Sequence, residues 1–171
     1  KILKLLLARQ EIDINAKSYC YYPTTSCWQN TALRIAIENK NLSMIKLLLE
    51  NPRTNVNIKS SYGYIHNKII DISNAHSSIN QYEYTEFKTP LFDAVEYGNV
   101  EITQLLMKKA DIDIHCKSDF IEKRTNLAYK DIDGVIYYMC KKKISIFDII
   151  DSCNPEIKYL LKNKITNKSK C

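Results

Sequence analysis

Residues 89–118 read TPLFDAVEYGNVEITQLLMKKADIDIHCKS and contain two short helix patterns with a polar ending. Thr89 can accept a hydrogen bond from an unpaired N–H at a helix start, and Pro90 suits the first helical position. The apolar run then gives way to the hexapeptide DIHCKS at 113–118. The segment predicts a pair of helices, followed by a turn that leads the chain outward.

The same pattern recurs along the chain. Its openings are TALRIAI at 31–37, TPLFDAV at 89–95 and SIFDII at 145–150. A second helix pattern follows each opening, and a further copy of it, KILKLLLA, stands at 1–8. In the first full copy, Ile45, Leu48 and Leu49 return at three- and four-residue spacing and predict a core-facing stripe. Such short helix pairs cannot bury their apolar faces alone, so the copies are predicted to stack.

The segments at 31–60 and 89–118 resemble ankyrin repeats, because opening, alanine, leucine run and closing hexapeptide occur in register in both. The resemblance implies stacked helix-turn-helix units with a hairpin finger between consecutive units. We therefore predict an all-α repeat solenoid with extended β-hairpin or irregular finger insertions. The predicted repeat domain covers 1–163, with a half-repeat at 1–18, repeats at 31–60 and 89–118, a degenerate repeat at 145–163, insertions at 19–30, 61–88 and 119–144, and a basic tail at 164–171. Lys1 opens in mid-pattern without a methionine, so we expect a piece of a longer chain.

The copies depart from the family pattern at two positions. The histidine usual after the opening Thr-Pro-Leu is replaced by Arg34, Phe92 and Asp148, so its hydrogen bonds must be absent or replaced. Ile150 stands where the other copies have an alanine, and the last copy is therefore expected to pack differently.

The insertions are long. From the closing lysine to the next opening, the chain runs 14, 30 and 28 residues in the three insertions. Connections longer than about 12–15 residues are usually functional or disordered. The stretch YEYTEFK at 82–88 alternates like a strand, and 125–140 predicts an extended β-hairpin around an Asp-Gly turn. The tract at 65–80 fits either a helical turn or a strand.

Aromatic residues concentrate in these insertions, which hold ten of the twelve tyrosines and the only tryptophan, Trp28. Two interpretations stay open: the rings form a partner-binding surface, or the insertions fold back and the rings seal their own hydrophobic clusters. The finger candidates for partner binding are Tyr62, Tyr64, Tyr82, Tyr84, Tyr137 and Tyr138. The resemblance implies a concave binding face, on which the exposed first-helix candidates are Ile35, Glu38, Asn39, Asp93, Glu96 and Tyr97.

The sequence contains no recognisable motif for catalysis, phosphate binding or metal binding. No nucleophile motif occurs, and three isolated glycines cannot form a phosphate-binding loop. The six cysteines lack the paired spacing of structural zinc and indicate reduced thiols in a cytoplasmic protein. We predict no enzymatic activity, no cofactor and no metal. No apolar run approaches the roughly 20 residues that cross a bilayer, so no membrane insertion is expected.

Charge suggests a rival function. The net charge is +6, and basic residues cluster at Lys141–Lys143 and beyond Glu156. Such runs can bind nucleic acid or an anionic surface, or can simply be solvated. They contain no arginine, and the chain has no nucleic-acid-binding motif. We therefore expect an unidentified protein partner rather than nucleic acid, bound by a monomer; a structural spacer within a larger protein is the remaining alternative.

Asn15, Asn57 and His115 occupy one position of the closing hexapeptide. In ankyrin repeats this position can be hydroxylated, which the resemblance makes possible. The alternative is that the side chain bonds nearby backbone in its turn.

Overall fold

The computed structural model describes residues 2–22, 26–69, 78–128 and 135–168. Helix pairs alternate with strand pairs along these ranges. The elements are α1 (Ile2–Leu7), β1 (Ser18–Tyr22), β2 (Ser26–Asn30), α2 (Ala32–Glu38), α3 (Leu42–Glu50), β3 (Ser60–Ile69), β4 (Ser78–Lys88), α4 (Pro90–Glu96), α5 (Val100–Met107), β5 (Lys117–Ala128), β6 (Val135–Ser145), α6 (Ile146–Ile149) and α7 (Pro155–Lys168).

The first helix of each pair begins at the predicted hydroxyl. The side chains of Thr31, Thr89 and Ser145 each accept a hydrogen bond from the backbone N–H three residues further on. The second helices α3 and α5 use amides instead, because Asn41 and Asn99 accept the equivalent bonds at 3.0 Å. Each cap satisfies one of the N–H groups that a helix start leaves unpaired.

The core lies between the stacked helices. Contacts join α2 to α4, α3 to α5, and α5 to α7. Ala36 and Ala94 are both buried, as expected for positions where two helices approach closely. The predicted stripe is confirmed, with Ile45 and Leu48 buried and Leu49 packed against the core.

The last copy packs differently from the others, as Ile150 predicted. Its first helix is only four residues long and passes into a 3-10 turn at Ile150–Ser152. An isoleucine needs more room than the alanine methyl of the other copies. The second helix of this copy, α7, continues to Lys168, five residues past 163.

The fingers form a single sheet, which the all-α description does not include. The strand order is β1-β2-β3-β4-β5-β6, and every neighbouring pair is antiparallel. Each insertion supplies one hairpin, and neighbouring hairpins pair through β2 with β3 and through β4 with β5. The geometry allows this, since two strands occupy about 9.6 Å and stacked helices lie about 8–10 Å apart. A hairpin is therefore about as wide as the distance between consecutive repeats, so one hairpin per repeat can pair with the next.

The predicted strands are confirmed where the structure describes them. The stretch 82–88 lies within β4, and β5 pairs with β6 in a hairpin that is longer than the predicted 125–140. Of the ambiguous tract, 65–69 and 78–80 are strand. The rest of that tract and the Asp-Gly turn at 133–134 lie outside the described residues.

Polar side chains tie each second helix to the preceding one. Asn51, Lys109 and Lys164 occupy equivalent positions in three copies and donate to backbone carbonyls of the copy before them, at 3.2, 3.1 and 2.7 Å. The accepting carbonyls belong to Leu7, Leu49 and Met107, which are equivalent to one another. A cation at the C-terminal end of a helix also interacts favourably with the helix dipole. Lys164, predicted to be in a basic tail, is thus part of the stack.

The closing turns are tied in the same way. Asn15 donates to the carbonyl of Arg53 at 2.8 Å and accepts from the N–H of Asn55 at 2.9 Å. Asn57 repeats this with Asp111 and Asp113. The bonded backbone therefore belongs to the turn of the next copy rather than to the residue's own turn.

Candidate partner-binding surface

A buried ion pair underlies the predicted concave face. The Nε of Arg34 on α2 lies 3.3 Å from Oδ2 of Asp93 on α4, and their side chains are 4% and 0% exposed. Asp93 was expected to be an exposed binding residue, and that expectation is wrong. Arg34, which takes the place of the family's histidine, reaches across to the neighbouring repeat, and both side chains are enclosed where α2 packs on α4.

Burial changes the titration of this carboxyl. Loss of solvent is the largest effect and raises the pKa of Asp93 to about 6, while the charges of Arg34 and Lys88 oppose the rise. Within the part of the chain that the structure describes, neither carboxylate oxygen accepts a hydrogen bond. Attraction between opposite charges, rather than hydrogen bonding, therefore holds the pair together.

Lys88 is a second, largely buried cation of this region. Its ammonium group lies 2.7 Å from Glu86 and 2.8 Å from Glu96, and 5.8 Å from the centre of the Phe92 ring. Burial, the largest effect, lowers the pKa of Lys88, but the contacts with both glutamates raise it above its ordinary value overall. Lys88 thus joins the end of β4 to α4.

The result is a surface with partly exposed acids above largely buried cations. We call it the first-helix surface and define it by Ile35, Glu38, Asn39, Glu86, Glu96 and Tyr97. Glu38 contacts Arg34 at 3.5 Å, so each of its three glutamates touches a cation that is itself largely buried. Counting Asp93, four carboxyl groups meet two cations, and the surface is acidic although the chain carries +6.

Two apolar side chains stand among these acids. Ile35 is 37% exposed and Tyr97 is 48% exposed. The pKa of the Tyr97 phenol is raised, first by burial and then by the charge of Asp93, while Arg34 opposes the rise. The predicted candidates Ile35, Glu38, Asn39, Glu96 and Tyr97 are therefore brought together on α2 and α4.

Glu86 was missed from the sequence. It precedes the opening threonine by three residues and lies on the strand β4 rather than on a first helix. Its position two residues before Lys88 is a usable signal, because side chains at that spacing lie on the same face of a strand.

The finger tyrosines lie in the sheet. Tyr62 is opposite both Trp28 and Glu86, and Tyr64 is opposite Tyr84. Tyr82 and Tyr84 also face Arg124 and Glu122 across the β4–β5 ladder, and Tyr138 is opposite Arg124 on β6. Tyr137 falls at a register shift and has no opposite residue on β5. Because β3 and β4 are paired on both sides, their four tyrosines occupy interior strands rather than separate projecting hairpins, and their part in binding stays a prediction.

The stacked helix pairs and their shared finger sheet place the molecule among helical repeat proteins. The ankyrin repeat family model matches residues 28–61 and 87–117, and these two segments are ankyrin repeats. They contain α2 with α3, and α4 with α5, which together carry most of the first-helix surface. Comparison with curated proteins and with solved structures finds no match.

The described residues offer little for other kinds of site. Among them, no three His, Cys, Asp or Glu side chains come together in a way that could hold a metal ion. Cys116 and Cys153 are free thiols. No helix in the described ranges has both the length and the apolar character needed to cross a membrane.

Proposed function

We propose that this chain is a protein-binding module that recognises its partner through the first-helix surface. Ankyrin repeats are in general protein–protein interaction modules, and the observation that carries the proposal is the acidic rim around Ile35 and Tyr97. A partner that suits it presents an apolar side chain flanked by lysine or arginine. The ties between consecutive repeats support recognition, because a rigid surface loses little entropy on binding.

The proposal includes a cytoplasmic monomer acting as a scaffold or adaptor. Free Cys116 and Cys153 agree with a reducing compartment. The rival function, binding of nucleic acid or an anionic surface by the C-terminal lysines, loses support because Lys158 pairs with Asp151 and Lys164 donates to Met107.

The test compares a variant that removes the two apolar side chains of the first-helix surface with a control variant that removes an exposed tyrosine elsewhere. Wild-type chain, the double variant Ile35→Ser/Tyr97→Ala and the control Tyr159→Ala are used to capture partners from the native cell at moderate salt, with quantification by mass spectrometry. Tyr159 is 65% exposed on α7, outside the first-helix surface. Truncating a central aromatic anchor costs about 2 kcal/mol or more, or roughly 30-fold in affinity. We expect the double variant to lose partners that Tyr159→Ala keeps.

Melting curves of all three proteins accompany the capture, so that unfolding is not mistaken for loss of binding. Equal sets of partners with the folded double variant and with wild type would overturn the proposal.

A further inference from the structure

A groove lies on the face of the sheet that points away from the first-helix surface. Lys88 on β4 contacts Glu96 and lies near the Phe92 ring, so its side chain is directed toward α4. Successive side chains on a strand point to opposite faces, and Phe87 is therefore directed the other way. Phe87 is opposite Asp119, and Asp119 is opposite Lys143, so these three residues form one row across β4, β5 and β6.

The row has a cavity of about 410 Å³ above it, which Lys59, Ile121 and Lys142 also line. Ile121 is two residues after Asp119 on β5 and shares its face. Phe87 and Ile121, both only partly buried, give the groove an apolar floor. We call this cavity the reverse-face groove.

Positive charge surrounds that floor. Three lysines and one aspartate line the cavity. Lys142 is in register with Phe120 and Glu86 and alternates toward the face of Lys88, so the reverse face itself carries Lys59, Lys143 and Asp119, a net charge of +1. The Nζ of Lys59 lies 2.5 Å from one oxygen of Asp119, whereas the Nζ of Lys143 lies 3.9 Å from the other. Asp119 is thus engaged mainly by Lys59. Lys143 is exposed on this face and can engage an anionic ligand.

We propose that the reverse-face groove binds an extended acidic segment of a partner protein, with an apolar side chain on Phe87 and Ile121 and a carboxylate at Lys143. The row crosses from Lys59 to β6, and three strand spacings of about 4.8 Å make about 14 Å. That is the length of four or five extended residues at about 3.3 Å each. The apolar floor and the carboxylate of Asp119 favour a mixed peptide over a run of phosphates.

The reverse-face groove and the first-helix surface lie on opposite sides of the sheet and carry opposite charge. A basic segment suits one and an acidic segment suits the other. Either proposal can therefore fail while the other stands.

The experiment uses the full chain and a fluorescein-labelled peptide, Glu-Asp-Leu-Glu-Phe-Asp-Glu with both ends capped, followed by fluorescence anisotropy. Two further peptides replace either the apolar pair by serine or the acids by their amides, and a labelled oligothymidylate serves as the nucleic-acid probe. The protein variants are Lys143→Glu and the control Lys162→Glu, which reverses an exposed charge on α7.

We expect the acidic peptide to bind, and Lys143→Glu to weaken it by about tenfold, because like charges are then brought together. Lys162→Glu should change the affinity less than about twofold, and each altered peptide should bind more weakly. The proposal is overturned by no peptide binding up to about 1 mM, by equal losses with Lys162→Glu, or by the oligothymidylate binding more tightly than the peptide at the same lysines.

Discussion

The helix stack and the finger sheet each have an ion pair that joins the same two repeats, and the pairs differ in their access to water. In the stack, Arg34 and Asp93 are 4% and 0% exposed. In the sheet, Lys59 and Asp119 are 36% and 30% exposed. A buried pair cannot exchange its partner for water, whereas an exposed pair can release either partner to a ligand. The stack therefore fixes the architecture, and the sheet face is the part that can exchange contacts.

The largest effect is expected from breaking the buried pair. Arg34→Met leaves the Asp93 carboxyl enclosed without its cation, and removing one partner of a buried pair costs about 3–5 kcal/mol. Chemical denaturation should show this loss in the free energy of unfolding. The double variant Arg34→Met/Asp93→Leu removes both charges and should recover most of it. If Arg34→Met alone unfolds like wild type, the pair does not hold α2 against α4.

A second large effect concerns pH. The ordinary pKa of Asp93 is 3.8, and burial raises it to about 6 in the folded chain. The folded state then binds the proton more tightly than the unfolded state, so this group's contribution to stability is full below about pH 4 and is lost as the pH rises through 6. The rise in the pKa of Asp93 corresponds to a contribution of about 3 kcal/mol to the free energy of unfolding.

The variant Asp93→Asn isolates this carboxyl from the others that titrate in the same range. We expect wild type to gain stability relative to Asp93→Asn as the pH falls from 7 to 4, in urea titrations at each pH. A difference that stays constant with pH would mean that the carboxyl keeps its ordinary pKa in the folded chain.

The stack was open to prediction because its signals are local. A hydroxyl before an apolar run gives the helix starts at Thr31, Thr89 and Ser145, and three- and four-residue spacing gives the buried face. The strand at 82–88 followed from the alternation of large and polar residues. In each case the interacting residues lie within a few positions of one another in the chain.

The pairing of neighbouring fingers was not open to prediction in the same way. Trp28 is opposite Tyr62, and Phe87 is opposite Asp119, on neighbouring strands, although each pair is more than thirty residues apart in sequence. Their pairing depends on the match between the width of a hairpin and the spacing of the stacked helices, which local sequence patterns do not report. The exposure of Asp93 was mispredicted for a related reason, since family position places the residue on a first helix but does not reveal that Arg34 covers it.

The smallest effects should come from the exposed pairs, which sharpen the contrast between stack and sheet. Lys59→Met removes the partner of Asp119 and should cost about 0.2–1 kcal/mol, since water and Lys143 remain near the carboxylate. The matched control is Lys46→Met, because Lys46 and Glu101 join α3 to α5 at 3.4 Å and are 51% and 53% exposed. The stability cost of Lys46→Met should be at the lower end of that range.

The three pairs then rank by burial alone, from Arg34–Asp93 through Lys59–Asp119 to Lys46–Glu101, in a single series of urea denaturations. A loss for Lys59→Met as large as that for Arg34→Met would show that the sheet holds the repeats together as firmly as the stack does, and that its charges are not free for a ligand.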